Sequence, residues 1–312
     1  MTLKNRVRDK KNVINYISLV LAAAAFLLSA LRIDSSNVVL SGENEIAPET
    51  AMQRIMRTGV IRVGYGGFPP YTIVNPNEKD ENKRVSGFAV DMINEIVNRM
   101  EPKPKIEWYN LNWSTFRADM MAKRFDILAD ATYKVVPKAF EFNMSRTFSY
   151  FGLGAAIVRK DDNRFTEFSD LNQKGLVITL AQGYITTEYA KSHLELPELK
   201  VLPVGDDAFS PMNEVILGRA DIALNDVPTV LQFARAHSDK VKALWVNKPP
   251  ASVAAGFTTR REDWELNEFI NTSIEILQVD GTMALIDKKW NALGYYQELR
   301  LVPGSGIVDI HR

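Results

Sequence analysis

The chain is 312 residues long, 46% hydrophobic and 10% aromatic, with 38 basic residues against 38 acidic ones and no cysteine. That length and composition suit two cores of ordinary domain size and exclude a disordered chain. The balanced charge offers no basic field to nucleic acid or an anionic membrane, and the lack of cysteine excludes disulfides, thiolate metal sites, cysteine nucleophiles and a lipid-modified cysteine anchor.

The first twelve residues, MTLKNRVRDKKN, are basic, and the apolar run ISLVLAAAAFLLSAL follows at residues 17–31. A basic stretch followed by an apolar one is the order of an export signal. The run has the length of a signal-peptide core and falls short of the ~20 residues a spanning helix needs. LSA at 28–30 is an imperfect small-x-small processing site, so residues 1–31 are read as a signal peptide or an uncleaved membrane anchor, and 32–51 as a polar tether.

AMQRIMRTG predicts a short helix ending at Gly59, and VIRVGYGGFPPY a strand running into a rigid loop. GFAVDMINEIVNRM sets Val90, Ile93, Ile96 and Val97 at helical spacing, KIEWYNL reads as a strand, and STFRADMMAKR as a helix that delivers the chain to the strand FDILADATY. The same order recurs later: KGLVITLAQGYITTEYA gives strand, Gly183 turn and helix, and MNEVILGR leads into ADIALNDV. RFDILAD at 124–130 echoes RADIALND at 219–226, which points to two similar α/β lobes. Two long strands, YFGLGAAIVRK and ASVAAGFTTRR, cross between the lobes as a two-strand hinge. The expected division is lobe 1 over 52–154 and 253–295, lobe 2 over 155–252, and a tail at 296–312. The helices in DWELNEFINTSIEILQ and MALIDKKWNAL are expected to pack on the first lobe.

Ligands of open α/β sheets sit beyond the carboxyl ends of the strands. In the first lobe that position holds Phe68, Pro70 and Tyr71, then Trp113, then Asp130, Thr132 and Tyr133. In the second it holds residues 182–187, including Tyr184, Thr186 and Thr187, and then Asn225 and Asp226. Aromatic groups on one side and hydrogen-bonding groups on the other make a pocket for a polar solute with some apolar body. Thr186 and Thr187 are candidate N-caps, and the donors of that helix start can receive an anion. The same aromatic residues also serve ordinary lobe packing.

GVIRVGYGGFPPY, GFAVDMINEI, NWSTFRADMMAKRFDILAD, FSYFG, DLNQKGLVITLAQG, GRADIALND and DGTMALIDKKW, in this order over residues 59–293, resemble the amino-acid-type periplasmic solute-binding proteins of ABC importers, family 3. The resemblance implies a type II periplasmic-binding fold, an exported, monomeric binding protein without cofactor or metal, a small-molecule solute and an inner-membrane ABC permease as partner. It carries the acidic residue that holds a ligand's α-ammonium over to Asp226, and two pocket aromatics over to Phe68 and Trp113. Where the family grips the ligand carboxylate with arginine, this chain reads VVPKA, which places Lys138 there. The charge is kept and the bidentate fork is lost. Ala131, Tyr133 and the GYITT segment depart from the family as well, and Arg146 of SRTFSYF is a second cation for the same role.

Two other functions compete with solute delivery: a dehydratase-like enzyme of the same fold, and a membrane-tethered sensor. For the first, Asp226, Asp130, Glu188 and Lys138 are the available acids and bases. The three histidines, His193, His237 and His311, have no metal-ligand spacing. GYGGFPP is no dinucleotide loop, because prolines stand where the phosphate-binding helix must start.

Overall fold

The computed structural model describes residues 48–203, 208–295 and 298–301. The run read as signal or anchor lies outside them. Among the described residues no helix is long and apolar enough to cross a membrane.

In chain order, helix α1 (Ala51–Thr58) leads into β1 (Val60–Tyr65), and a small ribbon, β2 (Ile73–Val74) and β3 (Val85–Ser86), encloses the short α2 (Glu81–Arg84). Next come α3 (Phe88–Asn98), β4 (Lys105–Asn110), α4 (Phe116–Met121), β5 (Ile127–Tyr133), α5 (Val136–Glu141), β6 (Phe142–Met144) and the long β7 (Ser149–Arg159). The second half holds β8 (Val177–Ala181), α6 (Ile185–His193), β9 (Glu198–Leu202), α7 (Ser210–Ile216), β10 (Ile222–Asp226), α8 (Val227–Ala236) and β11 (Val241–Leu244). β12 (Ala251–Arg260) returns to the first half, and α9 (Trp264–Val279), α10 (Thr282–Ala292) and β13 (Arg300–Leu301) close the described chain.

Local chemistry sets the element ends. Thr50 and Gln53 cap α1 reciprocally, and Gly59, at φ 66°, ends it by donating to the Ile55 carbonyl. Along α3, Phe88, Ala89, Met92, Ile93, Ile96 and Val97 recur at helical spacing and are all buried. Each large side chain among them contributes about 1.5–3 kcal/mol by leaving water.

The sheet order is β4-β1-β5-β12-β7-β10-β8-β9. β4, β1 and β5 run parallel, as do β10, β8 and β9. The echoed motifs explain themselves at the starts of β5 and β10. Asp126 accepts the Arg62 amide at 2.8 Å, and Asp221 accepts the Val177 amide at 3.0 Å, so each carboxylate stitches its strand to the neighbour. Arginines complete both: Arg54, Arg62 and Arg260 around Asp126, Arg159 and Arg164 around Asp221.

β7 and β12 join the halves. Ser149 to Leu153 pair antiparallel with Ala255 to Ala251, after which β7 turns to β10 and β11 while β12 turns to β5 and β6. The parting point needs glycine. Gly154 has φ 78°, and a Cβ at Gly152 would lie 2.4 Å from Pro249.

One core lies under α3, α9 and α10, where Leu266, Ile270, Ile274, Leu277, Met283 and Trp290 meet Ile127, Ala129, Phe148 and Phe257. The second-half sheet has a core on each face, one with Val227, Val230 and Phe233, the other with Ile178, Leu180 and Leu224. The chain after α10 departs from a simple tail. Leu299 is buried in the first core, and β13 pairs with β7, Arg300 opposite Tyr150 and Leu301 opposite Ser149.

Candidate functional site

The loop leaving β1 is tied down by Asp130, near the carboxyl end of β5. Its carboxylate accepts the Gly66 amide at 2.5 Å and the Thr72 hydroxyl, and that hydroxyl accepts the Phe68 amide at 2.9 Å. Burial pushes the Asp130 carboxyl up to about 7, although the Thr72 and Gly66 hydrogen bonds oppose the rise. Asp130 is therefore a positioning group for the Phe68 loop, wholly buried with both oxygens engaged. Trp113 lies against Gly66, where a Cβ would come within 2.6 Å of the indole.

Phe68, half-buried, stacks on Tyr71 at 5.5 Å and meets Phe151 edge-on at 5.9 Å. Tyr71 belongs to the core: it is 0% exposed, and its hydroxyl hydrogen-bonds Ser149 at 2.8 Å. Burial raises its phenol far above the usual range. Tyr71 thus supports Phe68 from behind and does not face the cleft.

Tyr133, at the end of β5, packs on Phe151 at 5.2 Å and donates its hydroxyl to Asp226 Oδ2 at 2.7 Å. Asp226 ends β10 in the opposite lobe, so this bond crosses the cleft. Ile185, at the start of α6, also crosses and packs against the first core. Asp226 caps α8 as well, its Oδ1 accepting the Thr229 amide at 2.8 Å. It is 1% exposed, and burial raises its pKa against the opposing pull of the Thr229 and Tyr133 hydrogen bonds.

Lys138 sits on α5, a short helix with Pro137 in its first turn. Its Nζ lies 5.2 Å from the Tyr133 ring centroid, and burial pushes the ammonium down to about 8. Among the described residues, neither Lys138 nor Asp226 takes part in an ion pair within 4.0 Å. A buried carboxylate without a cation and a partly buried ammonium without an anion therefore flank the same tyrosine.

The remaining candidates are placed differently. Tyr184, not a threonine, is the N-cap of α6, and it provides no side-chain capping bond. Thr186 and Thr187 are inside the helix and buried. Thr187 Oγ1 donates to the Ala181 carbonyl at 2.5 Å, fastening the helix to the end of β8. The threonine N-cap expectation is corrected by two to three residues: the helix begins before them because Tyr184 already takes the extended capping conformation. Arg146 is exposed and reaches Glu275 of α9 at 3.4 Å, so the structure does not bring it to Tyr133 and Asp226. Asn225 Oδ1 accepts the Asp226 amide at 2.8 Å. No group of three or more metal-ligating side chains occurs among the described residues. Gly66 and Ile185 fall within stretches the sequence marks, VIRVGYGGFPPY and residues 182–187, but their particular roles come from contacts across the fold.

Two α/β lobes joined by two antiparallel crossing strands, with aromatic and charged groups at the facing strand ends, define a solute-binding protein of the type II periplasmic-binding fold. The family described as bacterial extracellular solute-binding proteins, family 3, matches residues 61–293, and the chain belongs to it. Among curated relatives, the L-cystine-binding protein TcyA of Bacillus subtilis is 28% identical over 239 residues, 76% of this chain and 82% of that one. A probable amino-acid ABC transporter-binding protein of Haemophilus influenzae is 24% identical over 76% of this chain and 86% of its own. Among solved structures, an ancestral amino acid-binding protein, a precursor of cyclohexadienyl dehydratase, superposes with TM-score 0.63 at 21% identity, covering 78% of this chain and 99% of that one. A mutant of ArgBP from T. maritima gives 0.61 at 24% identity, with 78% and 100% covered. These two likenesses establish the fold.

Proposed function

We propose that this protein captures an amino acid outside the cytoplasm and delivers it to an ABC permease of the inner membrane, without a catalytic step. The supporting observation is the pair of charges at Tyr133 that are uncompensated among the described residues: Asp226, buried without a cation, and Lys138, partly buried without an anion. An α-amino acid carries both complements. Its ammonium would meet Asp226 in a charge-assisted hydrogen bond, and its carboxylate would meet Lys138 together with the donors at the start of α6. Phe68 and Trp113 would wall its side chain. Lobe 1 (52–154 and 253–295) and lobe 2 (155–252) close on the solute about β7 and β12, and residues 1–31 direct export or tether the protein to the membrane.

The relatives that bind L-cystine make it the first solute to try, with lysine, arginine, aromatic amino acids and simple amines beside it. A thermal-shift screen tests the reading. A true ligand at 100 times its Kd stabilises the fold by about 2.7 kcal/mol, which raises the melting temperature by several degrees. If no amino acid moves it, the reading is wrong. Recovery of a chemically altered solute from the positive samples would instead establish an enzyme.

A further inference from the structure

The segment after α10 touches both lobes. On the first-lobe side, Leu299 is 2% exposed within the core, and Tyr295 packs on Trp290 of α10 at 5.8 Å. At the hinge, β13 pairs with Ser149 and Tyr150, the same residues whose other edge is held by β12. The first residues of β7 are thus the middle strand of three. Tyr71 Oη also lies 3.4 Å from the Glu298 carbonyl, beside its bond to Ser149.

On the second-lobe side, one side chain reaches this segment twice. Arg235, on α8, places Nη1 2.5 Å from Glu298 Oε1, and its guanidinium carbon lies 5.7 Å from the Tyr295 ring centroid. Glu298 is 1% exposed, and neither of its carboxylate oxygens has a hydrogen bond of good geometry among the described residues. Its charge is met by Arg235. A carboxylate buried in this way needs its cation: separation leaves an uncompensated charge at the hinge and costs far more than loss of an exposed pair.

We propose that the segment carrying Tyr295, Glu298, Leu299 and β13 is a strap between the lobes, fastened to the second lobe by Arg235, and that it shifts the hinge equilibrium toward the closed arrangement. The strap is seated in the first-lobe core and on β7, so rotation of the second lobe must carry Arg235 away from Glu298 or drag the strap with it. Because the apparent affinity for a solute scales with the closed population, the same contact tunes capture without touching the solute.

The inference rests on the hinge-closure reading, and its test needs no solute. The chain has no cysteine, so Ser114→Cys and Glu188→Cys place two spin labels beyond the carboxyl ends of β4 and β8 on opposite lobes. Pulsed dipolar spectroscopy on the ligand-free protein then reads the separation. Arg235→Gln is expected to move the population toward long separations about three- to tenfold and, because it strips the buried Glu298 carboxylate of its cation, to lower the melting temperature. Glu298→Gln, which leaves no buried charge behind, is expected to move the population by a similar factor with little change in melting temperature, and Arg235→Lys to retain part of the short population. Short and long separations in unchanged proportion in both glutamine variants would overturn the strap and leave hinge closure standing. A single separation in every variant would overturn both.

Discussion

Asp226→Asn separates solute recognition from folding. Asparagine caps a helix about as well as aspartate, so the bond from the Thr229 amide at 2.8 Å survives the change. The bond from Tyr133 at 2.7 Å can reverse, the new amide donating to the phenol oxygen. Removing a carboxylate that has no cationic partner among the described residues also relieves its desolvation cost, so the ligand-free protein should melt no lower than the wild type and even somewhat higher. The solute pays the difference. Loss of a buried charge-assisted bond to an ammonium costs roughly 2–4 kcal/mol, which is about 30- to 700-fold in Kd at 1.4 kcal/mol per decade. Titration calorimetry with a solute found by the screen measures the Kd, and a ligand-free melt measures the fold. A well-folded Asp226→Asn protein that binds within threefold of wild type would refute the assignment of Asp226 to the ammonium. Alanine is a poorer probe, since it removes the cap as well, about 1 kcal/mol of stability.

Three further outcomes follow from the same geometry. In the proposed binding mode, capture needs Lys138 charged and Asp226 ionised. Affinity for an amino acid should therefore fall as pH rises through about 8, and Lys138→Met should remove that alkaline limb and weaken carboxylate-bearing solutes at least tenfold while sparing simple amines, as calorimetry across pH would report. The Asp130 carboxyl titrates near 7 folded and near 3.8 unfolded, so over that interval the native state holds a proton the unfolded state lacks. This group's contribution to stability is full below about 4 and lost as pH rises to about 7. Asp130→Asn should flatten that component in denaturation midpoints compared at pH 5 and 8. Gly66→Ala sets a methyl 2.6 Å from the Trp113 indole, which is 39% exposed and free to yield outward, so the expected cost is about 1 kcal/mol of stability, a changed tryptophan emission and weaker binding of solutes that need the indole wall.

What was legible in the sequence was what repeats or alternates locally. The apolar spacing of α3, the strands FDILAD and ADIALND and the two long crossings all appear where the pattern put them, and the echoed aspartates prove to be strand stitches. Asp226 was legible as a strand-end carboxylate. The partners that fix each role were not. Asp130 reads as a cleft acid until its bonds to Gly66 and Thr72, 64 and 58 positions away, show that it holds a loop. Tyr133 meets Asp226 across 93 positions. Tyr71 and Arg146 have site-like chemistry, yet burial against Ser149 claims one and Glu275 the other. Pairing of β13 with β7 leaves no periodic mark, because a two-residue strand is too short to show one.

The crossing bond from Tyr133 to Asp226 bears on how solute and closure are coupled. In the arrangement described Asp226 is 1% exposed, and for a carboxylate with no cation among the described residues that burial costs several kcal/mol. The Tyr133 hydroxyl and the Thr229 amide return part of this through hydrogen bonds, but neither carries charge, and the raised pKa shows that the ionised form is still disfavoured. A neutral solute of the same shape could fill the cleft and still leave that deficit. An ammonium placed beside Asp226 offsets it only when the second lobe has swung in, and a carboxylate beside Lys138 does the same from the other side of the ring. In the proposed binding mode, binding energy at these two charges is realised chiefly in the closed arrangement, and a solute with differential affinity for one arrangement is what a population shift requires.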